Sequence, residues 1–330
     1  MAEKILVTGG GGFLGKALIK QLLVRGYEIH TLNRGFYPEL IAWGVHCFQG
    51  DLADSKAVLQ AAEGCSLVFH VGAKAGVWGD YDDYYRANVI GTQNVLLACR
   101  QLGIRRLIYT SSPSITFAGE DQEGIDEQLP LPKHYLAAYP ATKALAEKAV
   151  LDASSPELAT VALRPHLIWG PGDNHIMPRL LDRARKGRLR LIGVAGKKVD
   201  AVYIDNAVAA HLCAMDRLQH GSVIDGKAYF ITNDEPQPLE DIINSILVSA
   251  GLPEVKKRIP AKLAFGIGTL LEYTYSFFRI AGEPPLTRFA AAQMSTSHWY
   301  NTRAARQELG YQPEVSMKEG FAKLTEALRT

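Results

Sequence analysis

The sequence has few cysteines and no strong excess of charge of either sign. Its four cysteines are widely separated and make no C-x-x-C pair: Cys47, Cys65, Cys99 and Cys213. This usage excludes a disulfide framework or a structural zinc site, and we expect no bound metal and a reducing compartment. A formal net charge of +2 gives no general attraction to polyanions, so we expect no nucleic-acid partner.

The sequence also lacks a secretory signal, internal repeats and low-complexity stretches. The first residues enter an apolar run at once, without a charged segment, an apolar segment and a cleavage site in that order, so a cytoplasmic location is the default expectation. The 330 residues are 47% hydrophobic and 21% charged, as in ordinary globular proteins. This length corresponds to one large domain or two closely joined ones.

Short apolar runs alternate with segments of helical periodicity over the first half of the chain. The predicted strands are Lys4–Gly9, Glu28–Asn33, Val45–Gln49, Leu67–Val71, Arg106–Thr110 and Ala159–Arg164. The predicted helices are Phe13–Arg25, Ser55–Ala62, Tyr84–Leu102 and Ala138–Ala153. This order predicts an α/β fold with a doubly wound parallel (Rossmann) sheet. We expect residues 1–168 to bind a dinucleotide, and residues 169–330 to form a smaller, mixed substrate-binding region that returns some elements to the core.

The segment Pro260–Ala281 is rich in large apolar side chains. Three interpretations stay open: a helix packed in the core, a lid over an apolar substrate, or a helix lying on a membrane surface. Its charged residues and glycines make a membrane-spanning helix a poor interpretation.

A glycine cluster lies between the first predicted strand and the first predicted helix. Gly9, Gly12 and Gly15 have the spacing G-x-x-G-x-x-G. Gly9 suits a tight turn, Gly12 lets the backbone approach a pyrophosphate, and Gly15 permits close packing of helix on strand. The amides at the start of the helix, around Phe13 and Leu14, attract phosphate. The cluster predicts a dinucleotide site.

The end of the second strand selects between NAD and NADP. NAD-binding proteins usually have a carboxylate there, whereas this chain has Asn33 and Arg34. No carboxylate repels a 2′-phosphate, and Arg34 can pair with it, so we expect NADP, with NAD as the less favoured cofactor. Asp51, followed by Leu52 after the third strand, can accept a hydrogen bond from the adenine amino group.

A Tyr139-x-x-x-Lys143 pattern begins the predicted helix at Ala138. Side chains four residues apart share a helix face, and a neighbouring ammonium lowers the pKa of a phenol, so we expect Tyr139 to act as an acid or base. Ser112 follows the strand that ends at Thr110, where it can orient a substrate oxygen. Ser111 and Ser114 are alternatives to it.

The chain resembles the extended short-chain dehydrogenase/reductase family, and within it the 3β-hydroxysteroid dehydrogenase-like branch. Two stretches, 73–79 and 164–181, look most like those of bacterial 2-alkyl-3-oxoalkanoate reductases. The other segments that carry the resemblance are 8–15, 50–52, 69–73, 88–92, 109–114, 139–143 and 163–165.

The resemblance implies roles for individual residues. Catalysis falls to Ser112, Tyr139 and Lys143, with Asn88 supporting the lysine through water; a helix asparagine with a purely structural role is the alternative. Lys143 would also hold the nicotinamide ribose. The resemblance places five further residues along the cofactor: Val71, Gly72, Ala73, Pro165 and Leu167. The usual alanine at position 72 is glycine here, a mild departure.

The resemblance and the local sequence also suggest contacts on the substrate side. The expected substrate residues are Lys74, Ser114, His166 and Tyr203, the last beside the motif at Asp205 and Asn206. Lys74 and the basic run Arg179–Arg190 are candidates for holding a carboxylate, although the run is also typical of a solvated helix face. His166 and His175 are weaker acid–base candidates. The family often forms homodimers through the helices that start near Tyr84 and Ala138, and we expect a homodimer.

The function that fits these features best is NADP(H)-dependent reduction of an apolar ketone, in particular a long-chain 2-alkyl-3-oxoalkanoate. A 3β-hydroxysteroid or sterol dehydrogenase, with or without isomerase activity, is the main alternative. A nucleotide-sugar epimerase or dehydratase fits the apolar C-terminal segment poorly. A non-catalytic NADP sensor fits poorly with the retained Tyr139 and Lys143.

Overall fold

A computed structural model of the protein describes residues 2–174 and 176–329. The strands are β1 Lys4–Thr8, β2 Glu28–Asn33, β3 His46–Gln49, β4 Leu67–His70, β5 Arg106–Thr110, β6 Gln122–Ile125, β7 Ala159–Pro165, β8 Ile168–Trp169, β9 Leu191–Ile192, β10 Lys198–Val199, β11 Val202–Tyr203, β12 Lys227–Ile231, β13 Gln237–Pro238, β14 Arg258–Ile259 and β15 His298–Tyr300. The α-helices are α1 Phe13–Val24, α2 Pro38–Ala42, α3 Ser55–Ala62, α4 Tyr81–Tyr84, α5 Gly91–Leu102, α6 Ala138–Asp152, α7 Ile176–Arg185, α8 Ile204–Arg217, α9 Leu239–Ser249, α10 Ala261–Phe277, α11 Arg288–Gln293 and α12 Met317–Arg329. A 3₁₀ turn covers Pro113–Thr116, and π-helical turns cover Tyr85–Ile90 and Ala305–Leu309.

Seven parallel strands form the main sheet in the order β3-β2-β1-β4-β5-β7-β12. The order reverses between β1 and β4, and ligands of such sheets bind at this switch point, beyond the carboxyl ends of the strands. The doubly wound fold predicted from the alternation of strands and helices is confirmed.

Helices cover both faces of the sheet because its central strands are apolar on both sides. One apolar core joins the sheet to α1, α8, α9 and α12, and the other joins it to α3, α5 and α6. Leu18 and Leu22 of α1 are fully buried in the first core, and Val58 and Val95 in the second. These cores hold the carboxyl ends of β1, β4, β5 and β7 side by side.

The chain beyond residue 168 does not stay apart from the main sheet. β12 pairs with β7, and α8 packs against α1 and β7. The remaining strands form a four-stranded sheet of order β13-β10-β15-β6 and two short pairs, β11-β8 and β14-β9. A division of the chain at residue 168 stays a working hypothesis.

The helix α10 lies within the apolar segment Pro260–Ala281, for which the sequence left three interpretations open. Its buried residues are Ala264, Gly268 and Glu272, a single stripe at four-residue spacing. Most of its large apolar side chains are exposed, which rules out the interpretation as a core helix. Among the residues described, no helix combines the length and the hydropathy needed to cross a bilayer.

Candidate active site

The turn between β1 and α1 leaves no room for side chains at Gly9 and Gly15. Gly9 has a left-handed φ of 69°, and a Cβ on it would lie 2.6 Å from Cα of Gly72. A Cβ on Gly15 would lie 2.4 Å from the carbonyl oxygen of Gly9. At Gly12 a Cβ meets only that same oxygen, at 3.2 Å, and otherwise enters open space. The absence of a side chain at Gly12 therefore leaves a cradle that a diphosphate can fill.

The first turn of α1 faces this cradle. Gly12 is the N-cap and has no side chain to accept hydrogen bonds from the first amides of the helix. Phe13 is half-buried near Gly172, whereas the side chain of Leu14 lies in the core and leaves only its backbone for a ligand. Together with the Gly9–Gly72 contact, this geometry fits a bound dinucleotide.

The end of β2 holds the glycine turn through Asn33. The Gly11 amide donates to Oδ1 of Asn33 at 2.8 Å, and Nδ2 of Asn33 donates to Oγ1 of Thr31 at 3.1 Å. Sequence reasoning used Asn33 only as the absence of a carboxylate and missed this contact. The neighbouring Arg34 is exposed and makes no ion pair with any residue in the described ranges.

The residues after β3, Asp51 and Leu52, are those predicted to lie beside an adenine. Oδ1 of Asp51 accepts a hydrogen bond from the Ala53 amide at 2.9 Å. Leu52 packs closely on Gly91, since a Cβ added to Gly91 would lie 2.8 Å from Cβ of Leu52. The side chain of Leu52 also lies next to Gly72. The side chain of Asp51 is therefore partly engaged in its own turn, and Leu52 closes the space beside the glycine turn.

The serine cluster follows β5 directly. Oγ of Ser112 lies 2.9 Å from Oγ of Ser114 and accepts a hydrogen bond from the Ser114 amide at 3.2 Å. The Ser112 side chain also interacts with the phenol of Tyr139 and acts to lower the pKa of that phenol. The hydroxyl of Ser111 is buried and has no partner among the described residues. Of the three serines, Ser112 has the contact with Tyr139 that the proposed chemistry needs, with Ser114 behind it.

The phenol of Tyr139 is desolvated, and this desolvation raises its pKa. The interaction with Ser112 opposes the shift. We expected Lys143 to lower the pKa of Tyr139, but the pKa is shifted upward by burial, and Ser112 rather than Lys143 opposes the shift. A phenol with a raised pKa stays protonated near neutral pH, which suits the donation of a proton.

Lys143 lies one helical turn after Tyr139 and is only 2% exposed. Its Nζ donates to the carbonyl oxygen of Thr110 at 2.6 Å and lies 4.1 Å from the ring centroid of Tyr109. Burial lowers the pKa of Lys143 to about 7, and the charge of Glu147 acts in the opposite direction. The ammonium is thus held against the end of β5, beside the serine cluster.

A buried ion pair supports this face of α6. Glu147, one turn after Lys143, accepts two hydrogen bonds from Arg164, at 2.6 and 2.9 Å. Both side chains are buried, and the guanidinium of Arg164 lies 5.1 Å from the ring centroid of Phe230. Sequence reasoning missed this pair; the four-residue spacing from Lys143 places Glu147 on the same helix face but does not indicate Arg164 as its partner.

Asn88 lies in the π-helical turn before α5 and is buried. Its Oδ1 accepts from the Lys74 amide at 2.7 Å, and its Nδ2 donates to the Lys74 carbonyl and to Oγ1 of Thr142, each at 3.0 Å. These bonds fix the segment that continues β4 through Val71 and Ala73. The support of Lys143 through water stays a prediction; the contacts described here make Asn88 a positioning residue.

The side chain of Lys74 borders the same region. Its Nζ lies 2.7 Å from a carboxylate oxygen of Asp83 and 4.8 Å from the ring centroid of Tyr84. Burial raises the pKa of Tyr84 to about 12, with smaller contributions from Glu283 and Tyr139. Lys74 is therefore a cation at the margin of the site, close to the elements that carry Tyr139.

The carboxyl end of β7 contributes a strained backbone and a buried histidine. Leu167, after Pro165, has a φ of 44°, a conformation that costs energy in a residue with a side chain and is common near ligand sites. His166 is buried; Nδ1 lies 2.8 Å from the Asp200 carbonyl oxygen, and Nε2 lies 3.1 Å from Nδ1 of His298. Both ring nitrogens are engaged, so the predicted substrate contact of His166 is not supported.

The other predicted residues of the second half also differ from expectation. The ring of Tyr203 is buried against Trp169, at 5.3 Å between centroids, and Gly320 of α12 packs on it. Tyr203 is therefore a core residue, and a substrate contact is not supported. Asn206 is tied to the Val315 carbonyl at 2.7 Å and is structural as well. His175 lies outside the described residues.

A small apolar cluster, called here the apolar wall, lies close to Tyr139 in the chain. It contains Phe117, Phe289 and Ala292, with Val77, Leu136 and Ala137 packed against them. Leu136 and Ala137 precede Tyr139 directly in the chain, and Phe289 belongs to α11. An apolar portion of a substrate can lie against this wall while its carbonyl oxygen meets Ser112 and Tyr139.

The basic run on α7 is not merely a solvated face. Arg179 pairs with Glu283 at 2.9 Å, and Arg183 donates to the carbonyl oxygen of Pro285. These contacts tie α7 to the segment between α10 and α11.

A dinucleotide cradle and a Ser–Tyr–Lys set at one edge of a doubly wound sheet define an oxidoreductase of the extended short-chain dehydrogenase class. The chain belongs to the 3-beta hydroxysteroid dehydrogenase/isomerase family, whose model matches residues 6–262. The resemblance stated from the motifs is confirmed.

Relatives with two kinds of activity match almost the whole chain. It is 53% identical to 2-alkyl-3-oxoalkanoate reductase of Stenotrophomonas maltophilia, over 97% of this chain and 98% of that one. It is 35% identical to the decarboxylating sterol-4-alpha-carboxylate 3-dehydrogenase of Mus musculus, over 99% and 91%. UDP-glucose 4-epimerase of Thermus thermophilus in complex with NAD shares the fold, with a TM-score of 0.75 and 24% identity over 99% of both chains.

Proposed function

We propose that the protein is an NADP(H)-dependent ketoreductase that reduces the 3-oxo group of a long-chain 2-alkyl-3-oxoalkanoate. The observation that carries the proposal is the meeting of three side chains at the carboxyl end of β5: Ser112 interacts with Tyr139, and Nζ of Lys143 donates to the Thr110 carbonyl at 2.6 Å. The 53% identity to a reductase of this substrate class supports it.

The residues divide the work of proton transfer. Ser112 orients the carbonyl oxygen toward Tyr139, which donates its phenolic proton to that oxygen as negative charge develops on it. Lys143, held on the Thr110 carbonyl, would stabilise the phenolate that remains, and its ammonium would donate to the hydroxyls of the nicotinamide ribose. When bound, the reduced nicotinamide supplies the hydride to the carbonyl carbon.

The cofactor would lie across the switch point of the sheet. Its diphosphate would occupy the cradle at Gly12, its adenosine the side of Asp51 and Leu52, and its nicotinamide the side of Leu167. We propose NADP rather than NAD because Asn33 carries no charge and the exposed Arg34 is free of ion pairs within the described ranges. The preference is tested by the ratio of kcat/KM for NADPH and NADH.

The substrate would place its chain on the apolar wall and its carboxylate near Lys74. Both relatives are named for substrates with an oxygen function on the carbon next to one that bears a carboxylate. Their shared chemistry supports an acidic rather than a neutral ketone. Arg179 is the other candidate cation, and both cations have a carboxylate partner, Asp83 for Lys74 and Glu283 for Arg179. We favour Lys74 because Asn88 holds its backbone and also donates to Thr142, in the helix that carries Tyr139.

Oxidation of a sterol-type 3-hydroxy acid is the second candidate function. The mouse relative supports it, since the same three residues serve the reverse reaction, with Tyr139 accepting the proton. The 53% identity to a reductase, against 35% to the sterol dehydrogenase, favours the reductive function over this second one.

A homodimer is part of the proposal. α5 and α6 pack side by side and expose Leu97 and Leu145, each 44% exposed, on the outer surface. A four-helix contact between two copies would cover them. Light scattering of wild type and of Leu145→Glu tests this, with Leu328→Glu as the control at a similar exposure.

The test of the activity is NADPH consumption with a long-chain 2-alkyl-3-oxoalkanoate, a 3-oxosteroid and a UDP-sugar. We expect turnover of the first only, loss of at least about a hundredfold in Tyr139→Phe, and unchanged NADPH binding. Tyr27→Phe, at the opposite end of the sheet, is the matched control. Full turnover by Tyr139→Phe would rule out the assigned acid, and preference for the steroid would favour the second function.

A further inference from the structure

The helix α10 presents a broad apolar face to solvent. Leu270, Tyr273 and Phe277 are 67%, 69% and 81% exposed, and Leu263 and Ile267 continue the same face. The inward stripe consists of a small side chain, a glycine and a buried acid, which together cover little of the apolar surface of the helix. A face of this kind on a folded protein marks a contact with another apolar body.

The inward side fixes the orientation of α10. A Cβ on Gly268 would lie 2.8 Å from the backbone of Thr287, so the helix packs directly on the chain entering α11. Glu272 accepts hydrogen bonds from the amide and from Nε of Arg288, each at 2.6 Å. This anchoring opposes a rotation that would turn the apolar face inward as a substrate lid.

Positive charge predominates in the segments that neighbour α10 in the chain and in the fold, although Arg179, Lys186 and Arg258 are paired with carboxylates. Residues 176–190 and 254–283 hold eleven lysines and arginines against four aspartates and glutamates, whereas the whole chain has 36 against 34. β14 leads into the start of α10 and pairs with β9, which follows the basic run of α7. Arg183 reaches Pro285, beyond the end of α10. The cations therefore lie near both ends of the helix.

We infer that α10 and its basic surroundings dock the protein onto an anionic phospholipid surface. An exposed apolar helix face flanked by lysine and arginine is the combination that binds the interface of such bilayers. A second copy of the chain would bring two strongly positive faces together, and their repulsion disfavours that occupant. The inference does not depend on the proposed reaction.

The experiment is flotation of the full chain with vesicles of phosphatidylcholine alone or with about 30% phosphatidylglycerol. We expect the protein to float with the anionic vesicles, to stay behind with the neutral ones, and to be released by high salt. Leu270→Ser/Phe277→Ser should reduce the bound fraction at least about tenfold, and Arg185→Gln/Arg188→Gln should reduce it as well.

Two matched variants control for general effects of the substitutions. Val24→Ser/Val248→Ser changes exposed apolar residues elsewhere, and Arg303→Gln/Lys318→Gln changes exposed cations elsewhere; both should bind like wild type. NADPH binding shows that each variant is folded. The inference is overturned if wild type does not float, if neutral vesicles bind it equally, or if Leu270→Ser/Phe277→Ser instead dissociates a dimer.

Discussion

Asn33 accepts a hydrogen bond from the amide of Gly11 at 2.8 Å, which joins the end of β2 to the turn that precedes α1. The contact assigns two roles to one side chain. Its oxygen holds the glycine turn in shape, and its lack of charge leaves the neighbouring surface open to a 2′-phosphate beside Arg34.

These two roles separate in the variant Asn33→Asp. A carboxylate retains an oxygen for the Gly11 amide, so we expect the fold and the turn to persist. Its charge repels a 2′-phosphate and accepts from a ribose hydroxyl, so the preference for NADPH over NADH should fall by about a hundredfold in kcat/KM. Steady-state kinetics with both cofactors measure the change.

Asn33→Ala is the companion variant, because it removes the acceptor without adding charge. It should weaken the binding of both cofactors by a similar factor, as measured by fluorescence titration. An unchanged cofactor ratio in Asn33→Asp would mean that the 2′ position does not lie at the end of β2.

Lys143 should lower the stability of the protein below pH 7 while serving the reaction. Its pKa is about 7 in the folded protein against an ordinary value of 10.5, so between these values the unfolded chain binds more protons and stability rises with pH. Lys143→Met should therefore stabilise the fold by about 2 kcal/mol at pH 6, with a gain that shrinks toward pH 10.

Urea denaturation at several pH values measures this gain, and turnover of Lys143→Met should be lost throughout. Lys148→Met is the control on the same helix, since Lys148 is exposed and pairs with Asp152. A gain that grows with pH, or a variant that is destabilised at pH 6, would contradict the assigned direction.

The buried pair of Glu147 and Arg164 should be sensitive to the loss of one partner. Glu147→Gln leaves a buried guanidinium without its counter-charge, which we expect to cost about 3–5 kcal/mol. Asp152→Asn breaks an exposed pair on the same helix and should cost at most about 1 kcal/mol. If urea denaturation gives the same loss in the free energy of unfolding for both variants, the burial of the pair does not contribute to stability.

The fold was predictable because it depends on periodicity along the chain. The alternation of apolar runs with helical periodicity predicts β1 to β5 and β7 and the helices between them, and glycine spacing marks the turn at Gly9 to Gly15. Ser112, Tyr139 and Lys143 could be proposed for the same reason, since their positions at the ends of elements follow from the order of those elements.

Contacts between distant segments could not be predicted. The pairing of Glu147 with Arg164 depends on how α6 lies on β7, and the burial of His166 and Tyr203 depends on which way each side chain points from its loop. The composition of α10 indicated an apolar helix, but only packing shows that its small residues face inward.

Lys74 is the residue that we expect to distinguish an acidic substrate from a neutral one. Its ammonium lies 2.7 Å from Asp83, and its backbone is fixed by Asn88, so Lys74→Met removes the charge while the segment keeps its position. The KM for a 2-alkyl-3-oxoalkanoate should rise by about tenfold with kcat little changed, because a charge that binds the carboxylate equally in ground and transition states acts on binding alone.

The methyl ester of the same compound serves as the internal control, and its KM should be unaffected. Arg179→Met is the matched cation variant and should change neither value by more than about twofold. If Arg179→Met selectively raises the KM for the acid and Lys74→Met does not, the carboxylate binds on the side of α7, beside Glu283.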